Sequence, residues 1–333
     1  YRVSFFRTGS RRPTPKLWLG WPVKVLDDRH CRGCGGVMIS RLAFLIGMIL
    51  ATPAMAAEPS VDGSRGDAVL DAMVAELQRN VAQLRLEQGD YELPYFVRYS
   101  VREVTNYYVN GKNGAVFASS NNRSRLAGVD VRVGSYELDS SEDKEADYNF
   151  KQKDTPNFVA PMDDSIPALR GVLWLLSDHA YKAALMSFHN VRATMVNNAE
   201  EKKAASLSRE TPVVLIEDVP DLVVDVDAMQ ALVRDVSSVF VKYPEVFDSS
   251  VEVSAVRVVR YIVNSEGTRV RSADQYFQMV IGGLTRAPDG MLLGDSVVFY
   301  GRSTSDMPDR ATAVEAATEL ADYLMALRDA QVL

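Results

Sequence analysis

Cysteine and histidine are scarce in this chain, and their scarcity excludes several classes of site. The 333 residues contain two Cys and three His, too few for a disulfide framework or for a zinc module with two Cys pairs. Cys31 and Cys34 form a single C-x-x-C motif beside His30. One such pair can serve redox or zinc chemistry, but no second pair follows it. We therefore assign it no function.

Familiar catalytic motifs are also missing. The sequence has no H-E-x-x-H motif, no Gly-rich phosphate loop and no G-x-S-x-G turn. Ser177, Asp178 and His179 are consecutive, and consecutive side chains on a helix point about 100° apart, so they cannot form a relay with one another. His179 and His189 lie about 15 Å apart along a helix, too far to share a metal. We predict no catalytic residue, metal or cofactor in this chain.

Positive charge is not in excess. The sequence has 37 Lys and Arg against 44 Asp and Glu, a net charge of -7 and a pI near 5.2. A surface that reads phosphates needs concentrated Lys and Arg, so we predict no nucleic-acid partner. The hydrophobic share of 47% and the charged share of 24% are typical of a globular protein with a buried core.

An apolar run near the N-terminus indicates export. Leu42–Ala51 follows Met38 and Arg41, and it precedes Ala54-Met55-Ala56, a small-x-small cleavage site. The run has about ten residues, whereas a membrane span needs about 20. We predict a signal peptide over residues 38–56 and a periplasmic or secreted protein with no stable membrane span after cleavage. A short uncleaved membrane anchor is the alternative.

Residues 1–37 precede the first Met and show no periodicity, so we interpret them as an untranslated or mis-called extension of the reading frame. Without residues 1–56, the chain has 28 basic and 42 acidic residues, a net charge of -14, and no Cys. A Cys-free acidic protein suits an oxidising compartment outside the cytoplasm.

The first half of the mature chain, residues 57–210, is predicted as one α+β unit. Asp67 caps a helix with an apolar stripe, and a long helix runs from Pro167 to about Ala205. Asp163 and Asp164 are predicted to favour the N-terminus of this helix electrostatically. Between the helices we expect a turn at Asn110-Gly111, strands around 95–101, 115–119 and 129–133, and a charged surface loop at 139–154 without calcium-site spacing.

The second half, residues 211–333, is predicted as another α+β unit. We expect a helix starting at Asp227, a strand from Val251 to Val263 with a bulge at Ala255-Val256, a turn at Asn264–Gly267, and a last helix from Thr312 to Arg328. Shorter strands are expected near 213–216, 277–281 and 297–300. The fold class is α+β, with mostly antiparallel sheets packed by long helices. Tyr107-Tyr108-Val109-Asn110 resembles Tyr261-Ile262-Val263-Asn264, which suggests an internal duplication.

Several strings, taken in order, resemble the N-terminal part of the TldD/PmbA family, metallopeptidase-related proteins once called modulators of DNA gyrase. The resemblance covers about Asp67 to Leu333 and fits the exported, divergent branch of the family. The strings are Pro94–Tyr99, Gly114–Val116 leading to Ser119-Ser120, Arg125 through Val129–Gly134, Leu173–Leu175 through Ala180–Lys182, and Tyr261–Thr268. The last is similar to the family's N-S-x-G hairpin.

The resemblance implies a substrate-binding or scaffold portion of a zinc metallopeptidase. Family members carry their metal motif in a C-terminal domain, which we expect to be absent here, so peptide hydrolysis and zinc are expected only with that domain. A peptide substrate and a homodimer or heterodimer are the implied partners. We predict that Asn264, Ser265, Glu266 and Gly267 contact substrate, although Asn and Gly also suit a turn for purely structural reasons.

Two other functions remain open from the sequence. The chain can be a complete exported peptide-binding or scaffold protein without catalysis. It can also pair with a separate subunit that supplies the metal site. An in-frame downstream domain with a His/Glu motif favours the peptidase, and co-purification of a metal-containing partner favours the separate subunit.

Overall fold

A computed structural model describes residues 5–6, 66–86, 92–143, 158–197 and 204–330. The chain divides into one unit of residues 1–8 and 61–333 and another of residues 9–60. All of the described residues belong to the first unit. The Cys31–Cys34 motif, the predicted signal peptide at 38–56 and most of the predicted charged loop at 139–154 lie outside the described residues.

Four long helices are present in the described ranges. They are α1 (Ala68–Gln83), α2 (Ile166–Asn197), α3 (Val226–Ser237) and α4 (Arg310–Arg328), with short 3-10 turns at Ser140–Glu142, Ser238–Lys242 and Thr304–Asp306. The carboxylates of Asp67, Asp225 and Asp309 accept backbone N–H bonds at the starts of α1, α3 and α4, which satisfies donors that a helix cannot pair itself.

Several of the predicted helix boundaries were wrong. The helix α4 begins at Arg310, after its cap Asp309, rather than at Thr312. Asp225 caps α3, because its side chain lies where the Ala228 N–H needs an acceptor, at 2.9 Å; the predicted start was Asp227. The described part of α2 runs to Asn197, and Ala205, the predicted end, does not lie in a helix. Among the described helices, none combines the length and the apolar composition needed to cross a membrane.

The strands form one sheet. They are β1 (Phe5–Phe6), β2 (Pro94–Lys112), β3 (Ala115–Val133), β4 (Phe158–Val159), β5 (Val214–Ile216), β6 (Asp248–Asn264), β7 (Arg269–Arg286) and β8 (Leu292–Gly301). Their order is β1-β8-β7-β6-β2-β3-β4, and β5 pairs with β7. All pairs are antiparallel except β1 with β8 and β5 with β7. The α+β, mostly antiparallel prediction is confirmed, and strands from both predicted halves share the sheet.

The first hairpin turns at Asn113-Gly114, not at Asn110-Gly111. Both turn residues have positive φ, 51° and 79°, as a two-residue hairpin loop requires. Gly111 instead lies within β2, where an added Cβ would collide with Val233 of α3. The glycine therefore serves close packing rather than a turn.

Two predicted strand features were also wrong. β3 runs unbroken from Ala115 to Val133, because the polar stretch at 119–124 pairs with β2 residue by residue. β6 has no bulge at Ala255-Val256, since its register is continuous with both β2 and β7. The irregularities lie instead between β2 and β3, where the register shifts at Pro94–Phe96 and at Asn110-Gly111.

The described helices form two pairs over one face of the sheet. The pair α1 and α2 covers a buried cluster that includes Leu70, Met73, Tyr99, Val131 and Tyr181. The pair α3 and α4 covers a second cluster that includes Val109, Val236, Phe240, Met279 and Leu324. The buried residues of β2 and β6 in both clusters are odd-numbered, so they point to the same face.

The sheet register contains a local two-fold relation between the halves. β2 and β6 are antiparallel neighbours, and Val104 faces Val258. These two positions differ by 154 in number, the same offset that relates Tyr107–Asn110 to Tyr261–Asn264. Residues equally far along each strand from a facing antiparallel pair are related by a two-fold axis through that pair. The internal similarity seen in the sequence therefore follows the geometry of the sheet.

Candidate functional site

The predicted substrate turn, Asn264–Gly267, joins β6 to β7 and is held by hydrogen bonds. The Asn264 side chain accepts from the backbone N–H of Glu266 and Thr268, at 3.1 and 2.9 Å. Ser265 donates its backbone N–H to Val97 O and accepts from Val97 N–H at its hydroxyl. Gly267 has φ of 107°. These contacts give the turn a structural role, and its contact with substrate stays a prediction.

Glu266 connects this turn to a buried polar cluster. It accepts a 2.8 Å hydrogen bond from the Tyr136 hydroxyl. The ring of Tyr136 packs against Tyr95, and the Tyr95 hydroxyl donates to Asp139 at 2.6 Å. Asp139 also accepts from Arg132 at 3.1 Å and is fully buried. The prediction of a solvated loop was therefore wrong at Asp139, because its carboxylate has partners that offset the cost of burial.

The ionisation of Asp139 should make the free energy of unfolding depend on pH in the acidic range. Burial raises the pKa of Asp139, but hydrogen bonds from Ser141 and Tyr95 and the charge of Arg132 outweigh it and hold this pKa below its usual value. A carboxyl with a lowered folded pKa stabilises the fold above its unfolded pKa, about 3.9, and loses that contribution as pH falls through the folded pKa.

We expect Asp139→Asn to lower the unfolding free energy at pH 7, with the deficit shrinking as the pH falls below about 5 and through the folded pKa of Asp139. Urea titrations of both proteins across this range measure the deficit. Tyr95→Phe should show the same trend with a smaller amplitude, since it removes only one donor. A deficit that stays constant with pH would rule out this role for Asp139.

The residues considered for a catalytic relay are spread over the surface and core of α2. The Ser177 hydroxyl is buried, donates to Leu173 O and is hydrogen-bonded to the Tyr99 hydroxyl. Asp178 pairs with Lys182. Within the described ranges, no three His, Cys, Asp or Glu residues converge in a way that could hold a metal ion. The described His, Asp and Glu residues therefore do not fit a zinc site.

An ion-pair cluster lies between the two hydrophobic clusters, on the helix-bearing face. Arg125 of β3 donates to Glu103 of β2 at 2.8 and 3.1 Å. It also donates to Pro161 O and Asp163 O and pairs with Asp164 at 2.8 Å. Arg125 and Glu103 are both buried. Arg125 thus attaches residues 161–164, which precede α2, to the sheet. Asp164 forms the ion pair in this contact.

The next row of the sheet contains polar atoms without partners. Thr105, Arg257 and Gln275 are adjacent across β2, β6 and β7, and we call them the polar row. Thr105 Oγ1, Arg257 Nε and Gln275 Oε1 are buried and, as far as the structure describes the chain, make no hydrogen bond. Arg257 also donates to Pro220 O, and the Gln275 amide donates to Arg302 O. Buried atoms of this kind ordinarily find a partner.

The outer side of β7 is interrupted beside the polar row. β5 pairs with β7 only as far as Arg271, and β8 begins to pair at Phe277. Among the described residues, no strand pairs with 272–276 on this side, and we call this stretch the β7 gap. The Ala273 N–H points outward, because it donates to the Glu217 side chain at 3.2 Å. Alternation along a strand then points the backbone N–H and C=O of Gln275 outward too.

An apolar pocket lies next to the polar row. Its volume is about 260 Å³, and it lies between β6, β7, the start of α3 and the segment after β8. Its apolar walls include Met229, Val253, Ala255, Phe277, Met279 and Met307. The rim is exposed at Asp225, Ala228 and Thr304. Pocket, polar row and β7 gap together present an open strand edge, hydrogen-bonding groups and an apolar recess.

This site could not be predicted from the sequence, because the register brings together residues far apart in the chain. Thr105 lies more than 100 positions before Arg257 in the sequence. No local sequence motif marks Thr105, Arg257 or Gln275. One signal was present. The offset of 154 makes Val253 and Ala255 the equivalents of Tyr99 and Val101, and this exchange for smaller side chains indicates a recess in the second half.

Comparison with known proteins finds structural neighbours only. No family model and no curated protein matches the sequence. A proposed modulator of a DNA gyrase from Thermotoga maritima is similar, with 12% identity and a TM-score of 0.39, over 72% of this chain and 46% of that one. TldE from Thermococcus kodakarensis has 12% identity and a TM-score of 0.40, over 69% and 44%. A proposed modulator of DNA gyrase from Bacteroides thetaiotaomicron has 8% identity and a TM-score of 0.45, over 76% and 48%.

These names are those of the family found from the sequence strings. At these identities and TM-scores, the chain keeps its resemblance to the TldD/PmbA family as a prediction from the sequence strings. It spans less than half the length of each of the three TldD/PmbA-type structures. The activity, substrates and partners of whole TldD/PmbA proteins are therefore only proposals for this chain.

Proposed function

We propose that this chain is the N-terminal, substrate-binding portion of an exported TldD/PmbA-like protein, and that it binds extended peptides at the β7 gap. The observation that carries the proposal is the outward-facing backbone of Gln275 in a stretch of β7 that lacks a strand partner among the described residues. An extended peptide can add to such an edge through main-chain hydrogen bonds.

The polar row supports the same ligand. A peptide brings an N–H and a C=O with every residue, and the row offers a buried hydroxyl, a guanidinium N–H and an amide oxygen without partners in the described chain. A polar ligand would satisfy groups whose burial is otherwise costly, by about 1–3 kcal/mol each. The apolar pocket beside the row adds a place for a side chain, as in strand-addition sites, where pockets provide specificity.

Peptide hydrolysis belongs, in this proposal, to the whole protein. The described residues do not fit a zinc site, so no chemical step is assigned to them. The family's C-terminal metal domain would supply zinc and cleavage, and this chain would bind and orient the peptide, within a homodimer or heterodimer. The alternative is a non-catalytic exported peptide-binding or scaffold protein. Zinc content and peptide cleavage by the full-length gene product discriminate between the two.

Binding can be tested with the pentapeptide Ac-Gly-Ser-Leu-Ser-Gly-NH2 by isothermal titration calorimetry on the chain. We expect saturable binding that is lost when the peptide amides are N-methylated, because N-methylation removes the donors that strand addition needs. Equal binding of both peptides would contradict strand addition.

Two variants at one position isolate the strand edge. Gln275→Pro removes the outward N–H, while the ladder to β6 does not depend on that donor. Gln275→Ala keeps this N–H and removes only the side-chain amide. We expect the proline variant to bind the pentapeptide about fivefold more weakly than the alanine variant, as one lost hydrogen bond of about 1 kcal/mol implies. Equal affinities would place the peptide elsewhere.

Export is proposed from the signal-peptide pattern at 38–56. Expression of the gene with its N-terminal region should yield a periplasmic or secreted protein whose first residue is Ala57 or close to it. Edman sequencing of the recovered protein checks this. Retention of residues 38–56 in the recovered protein would favour the membrane anchor.

A further inference from the structure

The apolar pocket has the dimensions of a site for one side chain. Its volume of about 260 Å³ lies above the roughly 150 Å³ cavity that holds benzene and below drug-sized pockets, which begin near 300 Å³. The wall is apolar, with Phe277 and Met279 among its buried members. Three methionines line it, and their flexible side chains adapt to ligands of different shape.

The two-fold relation explains why space is left in this half of the sheet. The positions equivalent to Val253 and Ala255 are Tyr99 and Val101 in the first half. Tyr99 is fully buried, and its hydroxyl is hydrogen-bonded to Asn80 and Ser177. The second half has smaller side chains at both positions, on the floor of the pocket. The recess is thus a property of this half alone.

The pocket and the strand edge have compatible spacing. Ala255 faces Phe277 in one row, and Arg257 faces Gln275 in the next. Alternate residues of a strand are about 6.6–6.8 Å apart, so a peptide residue paired at Gln275 has the pocket within the reach of its side chain. Side chains that share a face of the sheet point to the same side, and both rows belong to the helix-bearing face.

The charge at the rim bears on which side chain fits. Asp225 is the one charged residue in the pocket lining, and its carboxylate already accepts the Ala228 N–H at 2.9 Å as the cap of α3. An anionic side chain would be repelled there. A cationic side chain would lose its hydration on entering the apolar pocket, which is unfavourable. The Asp225 carboxylate would compensate only partly, because it already accepts a hydrogen bond from Ala228.

We propose that the pocket receives one large apolar side chain, such as Leu, Met or Phe, from an extended peptide paired at Gln275. This inference rests on the proposed function, because it assigns a preference to the same site. It gives the chain selectivity for peptides with an apolar residue at one position, whatever their other residues.

The test uses four pentapeptides, Ac-Gly-Ser-X-Ser-Gly-NH2 with X as Leu, Phe, Ala or Lys, titrated calorimetrically into the chain. We expect the Leu and Phe peptides to bind at least about tenfold more tightly than the Ala peptide, as burial of a large apolar side chain implies. In ¹³C-methyl-methionine spectra, Leu and Phe peptides should shift the signals of Met229, Met279 and Met307.

Matched variants on α3 place the preference in the pocket. Ala228→Leu fills the recess from its exposed rim, and Ala231→Leu adds the same bulk at an exposed position outside the lining. We expect the first to abolish the preference for Leu and Phe over Ala and the second to retain it. Ala255→Val, which restores the residue type of the first half, should weaken the preference in the same direction.

The outcomes separate this inference from the proposed function. If all four peptides bind with equal affinity, or if Ala228→Leu retains the preference, the pocket assignment is overturned and strand addition stands. A tighter complex with the Lys peptide also overturns it, since Asp225 would then select the ligand. If none of the four binds, the proposed function itself fails.

Discussion

Replacement of Arg125 by Leu is expected to lower the unfolding free energy by about 3 kcal/mol, because it removes the buried partner of Glu103 and leaves only the exposed Arg123 paired with that carboxylate. Arg125 is 2% exposed and donates twice to Glu103. It also holds Pro161 O and Asp164, so the segment before α2 loses its attachment to the sheet. Chemical denaturation followed by circular dichroism measures the change.

A matched pair of controls separates burial from charge. Arg260 pairs with Asp274 on strand surfaces where both side chains are exposed, 46% and 63%, so Arg260→Leu should cost less than about 1 kcal/mol. The double variant Arg125→Leu with Glu103→Leu should recover part of the loss, since no uncompensated charge remains. If the two single variants cost the same, Arg125 has no special structural role.

Replacement of Gly134 by Ala is expected to destabilise the protein by about 2–4 kcal/mol. Gly134 follows β3 with φ of 113°, a conformation that side chains disfavour. An added Cβ would also lie 2.5 Å from Leu138 O and 2.6 Å from the Phe188 ring. The oxygen belongs to the backbone and cannot move aside, so strain and overpacking add.

The same substitution at Gly171 should have the opposite sign. Gly171 lies in the exposed face of α2, and an added Cβ meets nothing within 4 Å. Gly171→Ala should stabilise the protein by about 0.5–1 kcal/mol, because alanine loses less backbone entropy in a helix. Thermal and urea unfolding of both variants measure the contrast. Unchanged stability in Gly134→Ala would contradict the packing described around Gly134, and destabilisation in Gly171→Ala would contradict the open space around Gly171.

Helices and strands were predictable where the signal is local. The start of α1 follows from Asp67, the existence of α4 follows from its apolar stripe, and the strand pattern near Phe277 follows from alternation. The hairpin turn was misplaced because Asn-Gly occurs twice, at 110–111 and at 113–114, and both fit a tight turn. Only Val233, from a distant helix, decides that Gly111 belongs to the strand.

The candidate site was not predictable in the same way. The polar row depends on a register that pairs β2 with β6 across more than a hundred intervening residues. Likewise, the burial of Asp139 depends on Arg132 and Tyr95, whose approach a local reading of the charged loop cannot show. The predicted contact turn, Asn264–Gly267, was located correctly as a turn, and its contact with substrate stays a prediction.

The two halves share a sheet, but some of their equivalent residues differ. These differences bear on the proposed function. Tyr107 and Val109 have Tyr261 and Val263 as equivalents, and all of them contribute to the helix-bearing face. Thr105, by contrast, has Val259 as its equivalent, and Tyr99 has Val253. In our proposal, the two halves share the residues that build the sheet. The second half has a pocket at the position where the side chain of Tyr99 fills the space in the first half.

The central claim is that an extended peptide binds at the β7 gap with a side chain in the apolar pocket. The most direct measurement is photo-crosslinking with Ac-Gly-Ser-X-Ser-Gly-NH2 carrying benzoylphenylalanine at X, followed by mass spectrometry of the labelled chain. The account predicts labels on the pocket methionines, Met229, Met279 or Met307, and loss of labelling in the presence of excess Leu peptide. Labels confined to the β3 edge at 115–124, or unaffected by the competitor, would contradict it.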